Sequence, residues 1–554
     1  MSVRGSLPVW EYVLRVGPLC RDAGVGALVL ALAGCAVGPD WYKPAPVMPQ
    51  VFARPEGPKA PSRPIAAPVD PAWWRIFGDS ELAQLEARVA QDNFDIREAA
   101  TRYAESRAER EMAASAFYPS SDVDASYANE RASPNGVLNL LGTTATNTPA
   151  TIANGSPGFG PAGITSADTG NASSPAFNLW QYGIDASWEV DIWGRVRRSI
   201  EAADAGVELS EDYRRGVLIS VLAETAGDYI ALRGVQAQIA ITRENLGVAR
   251  HSLALTRLRF TNGATTNLDV ANATADVAAV GARLPPLERQ ESELINALSF
   301  MVAAPPRELA GALRPAKGLP PIPRKVPVGL PSELAEKRPD IRAAAAQLHE
   351  ATADIGVAIG DFYPRITLEG SLDIQSLEFS HLGLWNSRQY GLGPVISLPI
   401  FEGGRLTGNL ELKEEQQKRA ALDYRRTVLK AWHEVDDALT AYNAAQNERN
   451  LLATAVAQDK IALAAAQLQY SQGATDFLNV LTVQNRLLDA QNAEIAAAIG
   501  ADAALISLYK ALGGGWEANE LPLRAPQPRL PVVALLPHPI ALKQTPDVDL
   551  PHGP

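Results

Sequence analysis

Acidic residues stand at alternating positions in three short stretches of this 554-residue chain. They are Asp122 and Asp124 in "SSDVDASY", Asp185, Glu189 and Asp191 in "WQYGIDASWEVDIWG", and Glu369 and Asp373 in "RITLEGSLDIQ". A carboxylate at every second position lines one face of an extended chain, so these acids describe a wet wall that favours cations over anions. Arg365 partly offsets them. Covalent chemistry is harder to find. The six histidines are scattered, with no HExxH and no close pair. There is no P-loop, no GxSxG and no complete GxGxxG; "GLG" at 391–393 falls within an extended stretch, and Trp432-His433-Glu434 reads as a helix face. Cys20 and Cys35 are the two cysteines, both near the N-terminus, so the body of the protein has no thiol nucleophile, disulfide framework or cysteine metal cluster. The sequence therefore predicts no enzyme, no catalytic residue, no metal and no cofactor. A formal net charge of -12 disfavours nucleic acid as a partner.

Cys35 is the exception that carries chemistry. Arg4, Arg15 and Arg21 precede the apolar run "VGALVLALAG", which is shorter than the roughly 20 residues a membrane-spanning helix needs. The run fits the apolar core of a secretion signal. "LAGC" resembles a bacterial lipobox, which implies cleavage before Cys35 and acylation of its thiol and new amine. Several acyl chains, at about 0.8 kcal/mol per buried methylene, hold a protein firmly on a membrane. Ala36 after the cysteine points to the outer membrane, by resemblance to sorted lipoproteins. A small buried apolar helix is the plainer reading of the same residues.

The elements that position the acids come in two copies. "FYP" occurs at Phe117 and Phe362, "QYG" at Gln181 and Gln389, and "GR" at Gly194 and Gly404. "RFTNGATTNLDV" echoes "QYSQGATDFLNV", and Gly263 follows Gly194 by the same 69 positions as Gly473 follows Gly404. Four landmarks in the same order mark a duplication. The expected organisation is a signal peptide at 1–34, an extended tether at 35–75, a first repeat at 76–300, a linker at 301–345, a second repeat at 346–516 and a Pro-rich tail at 517–554. Strands are expected at about 119–129 and 178–192 in the first repeat, and at about 365–375 and 389–401 in the second.

The strands are apolar on their other face, as in Trp180, Tyr182, Ile184, Ala186, Trp188, Val190 and Ile192, and the fourth alternates less cleanly, through Tyr390, Leu392, Ile396, Leu398 and Ile400. Such strands suit either a soluble sandwich, where apolar faces meet, or a transmembrane barrel. A 13-residue strand reaches roughly 43 Å at about 3.3 Å per residue, enough to cross a bilayer when tilted. Trp180 and Tyr182 at one end and Trp188 and Trp193 at the other fit interfacial girdles. Four strands cannot close a barrel, and open edges in lipid leave backbone groups unpaired at several kcal/mol each. Chains must share the barrel; three copies would make twelve strands around a water-filled lumen lined by the acids.

From Arg195 to about Arg259, and from Arg405 to about Tyr470, no proline or strong turn signal interrupts the chain. The 69-position interval corresponds to a helix of roughly 100 Å at about 1.5 Å per residue. Gly263 and Gly473 are the expected stops, and Thr266 or Asn267 and Thr475 or Asp476 the expected restarting caps. A soluble coiled coil would explain these helices but not the adjoining strands.

Together these residues resemble the outer-membrane efflux family of TolC and OprM, in its NodT-like lipoprotein branch. The supporting motifs span nearly the whole mature chain: "CAVGPDWYKP", "WWRIFGD", the two "FYP" copies, "DIWGRVRRSIEAA", "FEGGRL", "LPSELAEKRPDIRAAAAQL" and "LYKALGGGW". The resemblance implies a homotrimer: a twelve-stranded transmembrane β-barrel, four strands per chain, continued by a long periplasmic α-helical barrel with an equatorial belt. It implies the exit duct of a tripartite pump, working with a periplasmic adaptor and an inner-membrane transporter of RND type, and held by outer-membrane lipid. An outer-membrane-anchored coiled-coil scaffold lipoprotein is the alternative. The resemblance also places the pore aperture and adaptor-facing tips at Gly263, Leu268, Asp269, Gly473, Asp476, Leu478 and Thr482. Leu478 matches a constricting apolar position. Thr482 stands where the family often has an aspartate, so Asp476 or Asp269 becomes the candidate for an acidic gate ring, with helix capping the equally weighted role for both.

Overall fold

The structure is a computed structural model and describes residues 36–45, 62–131 and 176–519. Cys35, the signal region, most of the connection between the first two strands and the tail from 520 lie outside the described residues.

Two helices of 67 residues each dominate the molecule: α3 (Arg195–Thr261) and α7 (Arg405–Ser471). Each starts after a glycine in the left-handed region, Gly194 at φ 82° and Gly404 at φ 91°, where a Cβ would be strained. Each stops at the expected glycine, Gly263 at φ 70° and Gly473 at φ 76°. Their returning partners are α4 (Asn267–Gly281) with α5 (Leu284–Met301) after α3, and α8 (Phe477–Leu512) after α7. Thr266 caps α4 in a capping box with Asp269, and Asp476 caps α8 by accepting from the Asn479 amide at 3.1 Å. By length and composition α8 is apolar enough to cross a membrane, yet most of that stretch is buried against other helices, so it is coil core. Within the second coil Val456, Leu463, Tyr470, Phe477, Val480 and Leu487 form one buried seam.

Shorter helices flank the long ones: α1 (Ser80–Asp92), α2 (Phe94–Ser115) and α6 (Pro339–Gly360). The order of neighbours at the sheet end is α2, α3, α6, α7. The sheet repeats that order. Strands β2 (Ser120–Glu130), β3 (Phe177–Glu189), β5 (Arg365–Ser376) and β6 (Arg388–Ser397) pair antiparallel in the sequence β2-β3-β5-β6. Around mid-height a belt gathers β1 (Arg63–Ile65) and β4 (Lys325–Pro327), which pair in parallel. Its core holds Trp73, Trp74 and Phe77 beneath Tyr509, with the Trp73 and Tyr509 rings stacked at 5.5 Å.

The strand expected to reach Ile192 ends at Glu189, and the one expected to reach Phe401 ends at Ser397. Val190 still donates its amide to the Ile366 carbonyl at 2.9 Å, but Asp191 and Ile192 continue the alternation by composition only. Asp191 folds back to accept from the Val196 and Arg197 amides at 3.0 and 2.9 Å, closing the start of α3.

Candidate functional site

The sheet has one apolar and one acidic face, and the pairing register keeps them coherent across all four strands. Val123, Ile184, Leu372 and Tyr390 form one cross-strand row, and Asp122, Asp185, Ser371 and Gly391 form the next row on the opposite face. Asp124, Gly183, Asp373 and Gln389 make a second acidic row. Gly183 is needed there: a Cβ would fall 2.0 Å from Asp373 Oδ1, so the carboxylate lies over the glycine. Glu369, opposite Gly393, lies on the same face. Among the described residues nothing covers the apolar face, and Val123, Ile184, Leu372, Tyr390 and Ile396 are exposed. Such a continuous exposed apolar surface is abnormal for a soluble monomer.

Aromatic rings mark both ends of that surface. At the far end Tyr127 packs on Trp180 at 4.2 Å and Trp180 meets Phe379 at 5.0 Å. At the helix end Trp193 stacks on Tyr363 at 4.8 Å, and Trp188 Nε1 donates to the Phe117 carbonyl at 3.0 Å. Two aromatic girdles around an apolar band are the pattern of a strand array that crosses lipid.

Glu189 and Asp191 sit below the other acids, at the junction of sheet and helices. Glu189 takes a forked pair of bonds from Arg195, at 3.0 and 2.6 Å, and Asp191 is paired with Arg197. Both carboxylates are engaged in shaping the junction, which sequence alternation alone did not reveal.

The tether begins at this same level. The Val37 amide donates to the Trp193 carbonyl at 2.9 Å. Arg198, nearly buried, donates to the Val37 and Gly38 carbonyls and to Asp40. Gly38, at φ 96°, lies against Gly356 so closely that a Cβ would stand 2.4 Å from the Gly356 Cα. Trp41 stacks on His349 at 4.8 Å, and Tyr424 OH donates to the Pro44 carbonyl. Two residues beyond Cys35, therefore, the backbone is pinned beside the aromatic girdle.

At mid-height the shorter helices meet end to end. Asn93 caps α2 and also donates from Nδ2 to the carbonyl of Met301, the last residue of α5, at 3.0 Å. Arg338 precedes α6 and donates to Ala511 of α8 at 2.7 Å, to Asp340, and to Glu434 of α7. The duplication thus extends to two helix splices that no local sequence signal announced.

The tip residues fall into three groups. Gly263 and Gly473 are the reversal points. Asp269 and Asp476 are helix caps, and hydrogen bonds from Thr265 lead the effects that hold the Asp269 carboxyl below its usual range. Leu268 and Leu478 project from the surface of the single chain, whereas their neighbours Phe477 and Val480 are buried. Thr482 donates its hydroxyl to the Leu478 carbonyl at 2.8 Å. Among the described residues no group of three or more His, Cys, Asp or Glu is placed to hold a metal ion.

Known proteins share this arrangement. The sequence profile of the outer membrane efflux protein family matches residues 86–304 and 330–514. Outer membrane protein OprJ of Pseudomonas aeruginosa is 30% identical over 498 residues, covering 89% of this chain and 96% of OprJ. Nodulation protein T of Rhizobium leguminosarum bv. viciae is 30% identical over 497 residues, covering 89% of this chain and 93% of that protein. Among solved structures, the outer-membrane channel OprN superposes with a TM-score of 0.75 at 29% identity, over 87% of this chain and all of OprN. These matches run through both repeats, and the lipid-facing sheet and the long helices lie where an outer-membrane channel has them. The chain belongs to the outer membrane efflux protein family and is an outer-membrane efflux channel.

Proposed function

We propose that three copies close one barrel and form the exit duct of a tripartite pump. The observation that carries this reading is the sheet itself: a register-coherent apolar face that ends in two unpaired edges, β2 and β6. In lipid those edges require partners, because each unpaired backbone group there is worth several kcal/mol. The β6 edge of one copy meets the β2 edge of the next, and α7 meets α2 in the same rotation, since strands and helices share one neighbour order. Twelve strands leave a lumen lined by Asp122, Asp124, Asp185, Glu369 and Asp373, which favours cations.

Acylated Cys35 supplies a second hold on the membrane, at the level where Val37 is pinned to Trp193. The helical tube carries the lumen into the periplasm, where Leu268 and Leu478 of the three tips meet a periplasmic adaptor and narrow the duct. An inner-membrane transporter of RND type supplies the energy, because nothing in this chain's composition provides an energy-converting site.

The test is biochemical. Acylated protein extracted in mild detergent should migrate at trimer mass in unheated SDS gels, collapse to monomer on boiling, and give discrete conductance steps in planar bilayers. A detergent-free, non-conducting monomer would refute the duct.

A further inference from the structure

The junction between sheet and helices contains a cavity of about 270 Å³. It lies among the ends of β3 and β5, the segment after β6, and the starts of α3 and α7, with Arg195, Arg365 and Arg405 in its wall. Its acids are Glu189, Asp191, Asp361 and Glu402. By formal charge the cavity is not basic. By exposure it is, because the guanidiniums of Arg365 and Arg405 are more exposed than the carboxylates beside them. Arg365 is 51% exposed above Glu189 at 20% and Asp361 at 26%, and Arg405 is 64% exposed above Glu402 at 32%.

The acids are also committed elsewhere. Glu189 is held by the fork of Arg195, and Asp191 caps α3. Arg365 lies 3.6 Å from both Glu189 and Asp361, beyond hydrogen-bond distance, and among the described residues its guanidinium makes no hydrogen bond. A guanidinium presents five N–H donors in a planar fork that matches a carboxylate or phosphate. Strand alternation gives its direction: Arg365 pairs with Ser397 and shares a face with Glu369 and Asp373, the acidic face.

We propose that this neck cavity, headed by Arg365, is a site for an oxyanion, the carboxylate or phosphate group of a solute in transit from the helical tube to the barrel. The proposal rests on the duct reading, which makes the acidic face a lumen. A permeating molecule then meets a collar of guanidiniums before it meets the acids, so the duct has two zones of opposite presented charge. Val190, Ile192 and Ile366, which belong to the apolar alternation, line the side of the cavity away from Arg365.

The experiment uses full-length acylated protein in planar bilayers, with inorganic tripolyphosphate as the soluble probe. Tripolyphosphate should lower the potassium chloride conductance. Arg365→Gln should raise the half-blocking concentration about tenfold, the scale of one hydrogen bond to a charged group. Arg365→Lys keeps a point charge without the fork and should shift it less than about threefold. Heat-modifiable migration should match the wild type in both variants, and both should still give discrete conducting steps, which separates the site from a folding defect. Block that persists undiminished in Arg365→Gln overturns the proposal, as does normal conductance with no block. Block that follows the phospholipid composition of the bilayer instead of the soluble anion places the cavity on the lipid side and also overturns it. Absence of any conducting step would refute the duct reading, and the site with it.

Discussion

Leu372 and Ser371 are neighbours on β5, and the barrel reading gives them opposite fates. Leu372 lies mid-strand in the apolar row, opposite Ile184 and Tyr390, and is 49% exposed in the single chain. Ser371 lies in the acidic row between Asp185 and Gly391, and its hydroxyl faces a glycine that carries no side chain. An arginine at Leu372 would enter hydrocarbon, at about 2–4 kcal/mol per chain near the bilayer midplane. An arginine at Ser371 would enter water beside Asp185 and lose little. In a shared barrel the first penalty recurs in every copy. Urea unfolding of the protein folded into phospholipid vesicles measures both. Leu372→Arg should lower the unfolding free energy by at least about 2 kcal/mol relative to Ser371→Arg. Equal losses, or a larger loss at Ser371, would invert or abolish the inside–outside assignment on which the lumen depends.

Three further outcomes follow from particular sites. Glu86 is fully buried in α1, neither oxygen has a hydrogen-bond partner among the described residues, and burial pushes its carboxyl well above its usual range. Its raised folded-state value means wild-type stability falls as pH rises from about 4.5 through that value. Glu86→Leu should therefore stabilise by about 1–3 kcal/mol, with the gain growing from pH 5 to pH 8 in thermal melts; a gain that shrinks with pH would contradict the burial argument. Gly38→Ala sets a Cβ against the Gly356 backbone at a positive φ, so the 36–45 segment should become protease-sensitive while the helices stay intact, and unchanged protection would refute the clasp. Leu478→Ser should raise the conductance of the closed state if the three Leu478 side chains seal the tip, because a hydroxyl ring wets more readily than a leucine ring; unchanged leakage would remove Leu478 from the constriction.

The long helices were legible because nothing interrupts them: no proline from Arg195 to Arg259, and a glycine at each reversal. The two sheet faces were legible because a period of two survives in the strands. The same period misled at Asp191 and Ile192, where Asp191 serves the helix start, since alternation cannot distinguish a strand from a short capped turn. Thr266 and Asp476 emerged as caps only when backbone geometry chose between adjacent candidates. The splices and the tether clasp join residues far apart in the chain, such as Asn93 with Met301 and Arg198 with Asp40, so no local pattern encodes them. Arg365 was visible only as an offset to nearby acids; that it meets Glu189 and Asp361 at 3.6 Å without a hydrogen bond is a property of three dimensions.

The paired splices give the tube an uneven mechanical build. Two of its four columns per chain, α3 and α7, run unbroken for 67 residues each. The other two are interrupted, and across each break lies one side chain reaching a terminal carbonyl, Asn93 in one column and Arg338 in the other. A pull or twist imposed at the periplasmic end travels to the membrane through the continuous rods, while the interrupted ones can slip at mid-height only by disturbing the core packed around Ile96, Met301, Ile341 and Leu512. The belt is wrapped at that level, like a collar over a joint, and sets how far the slip can go.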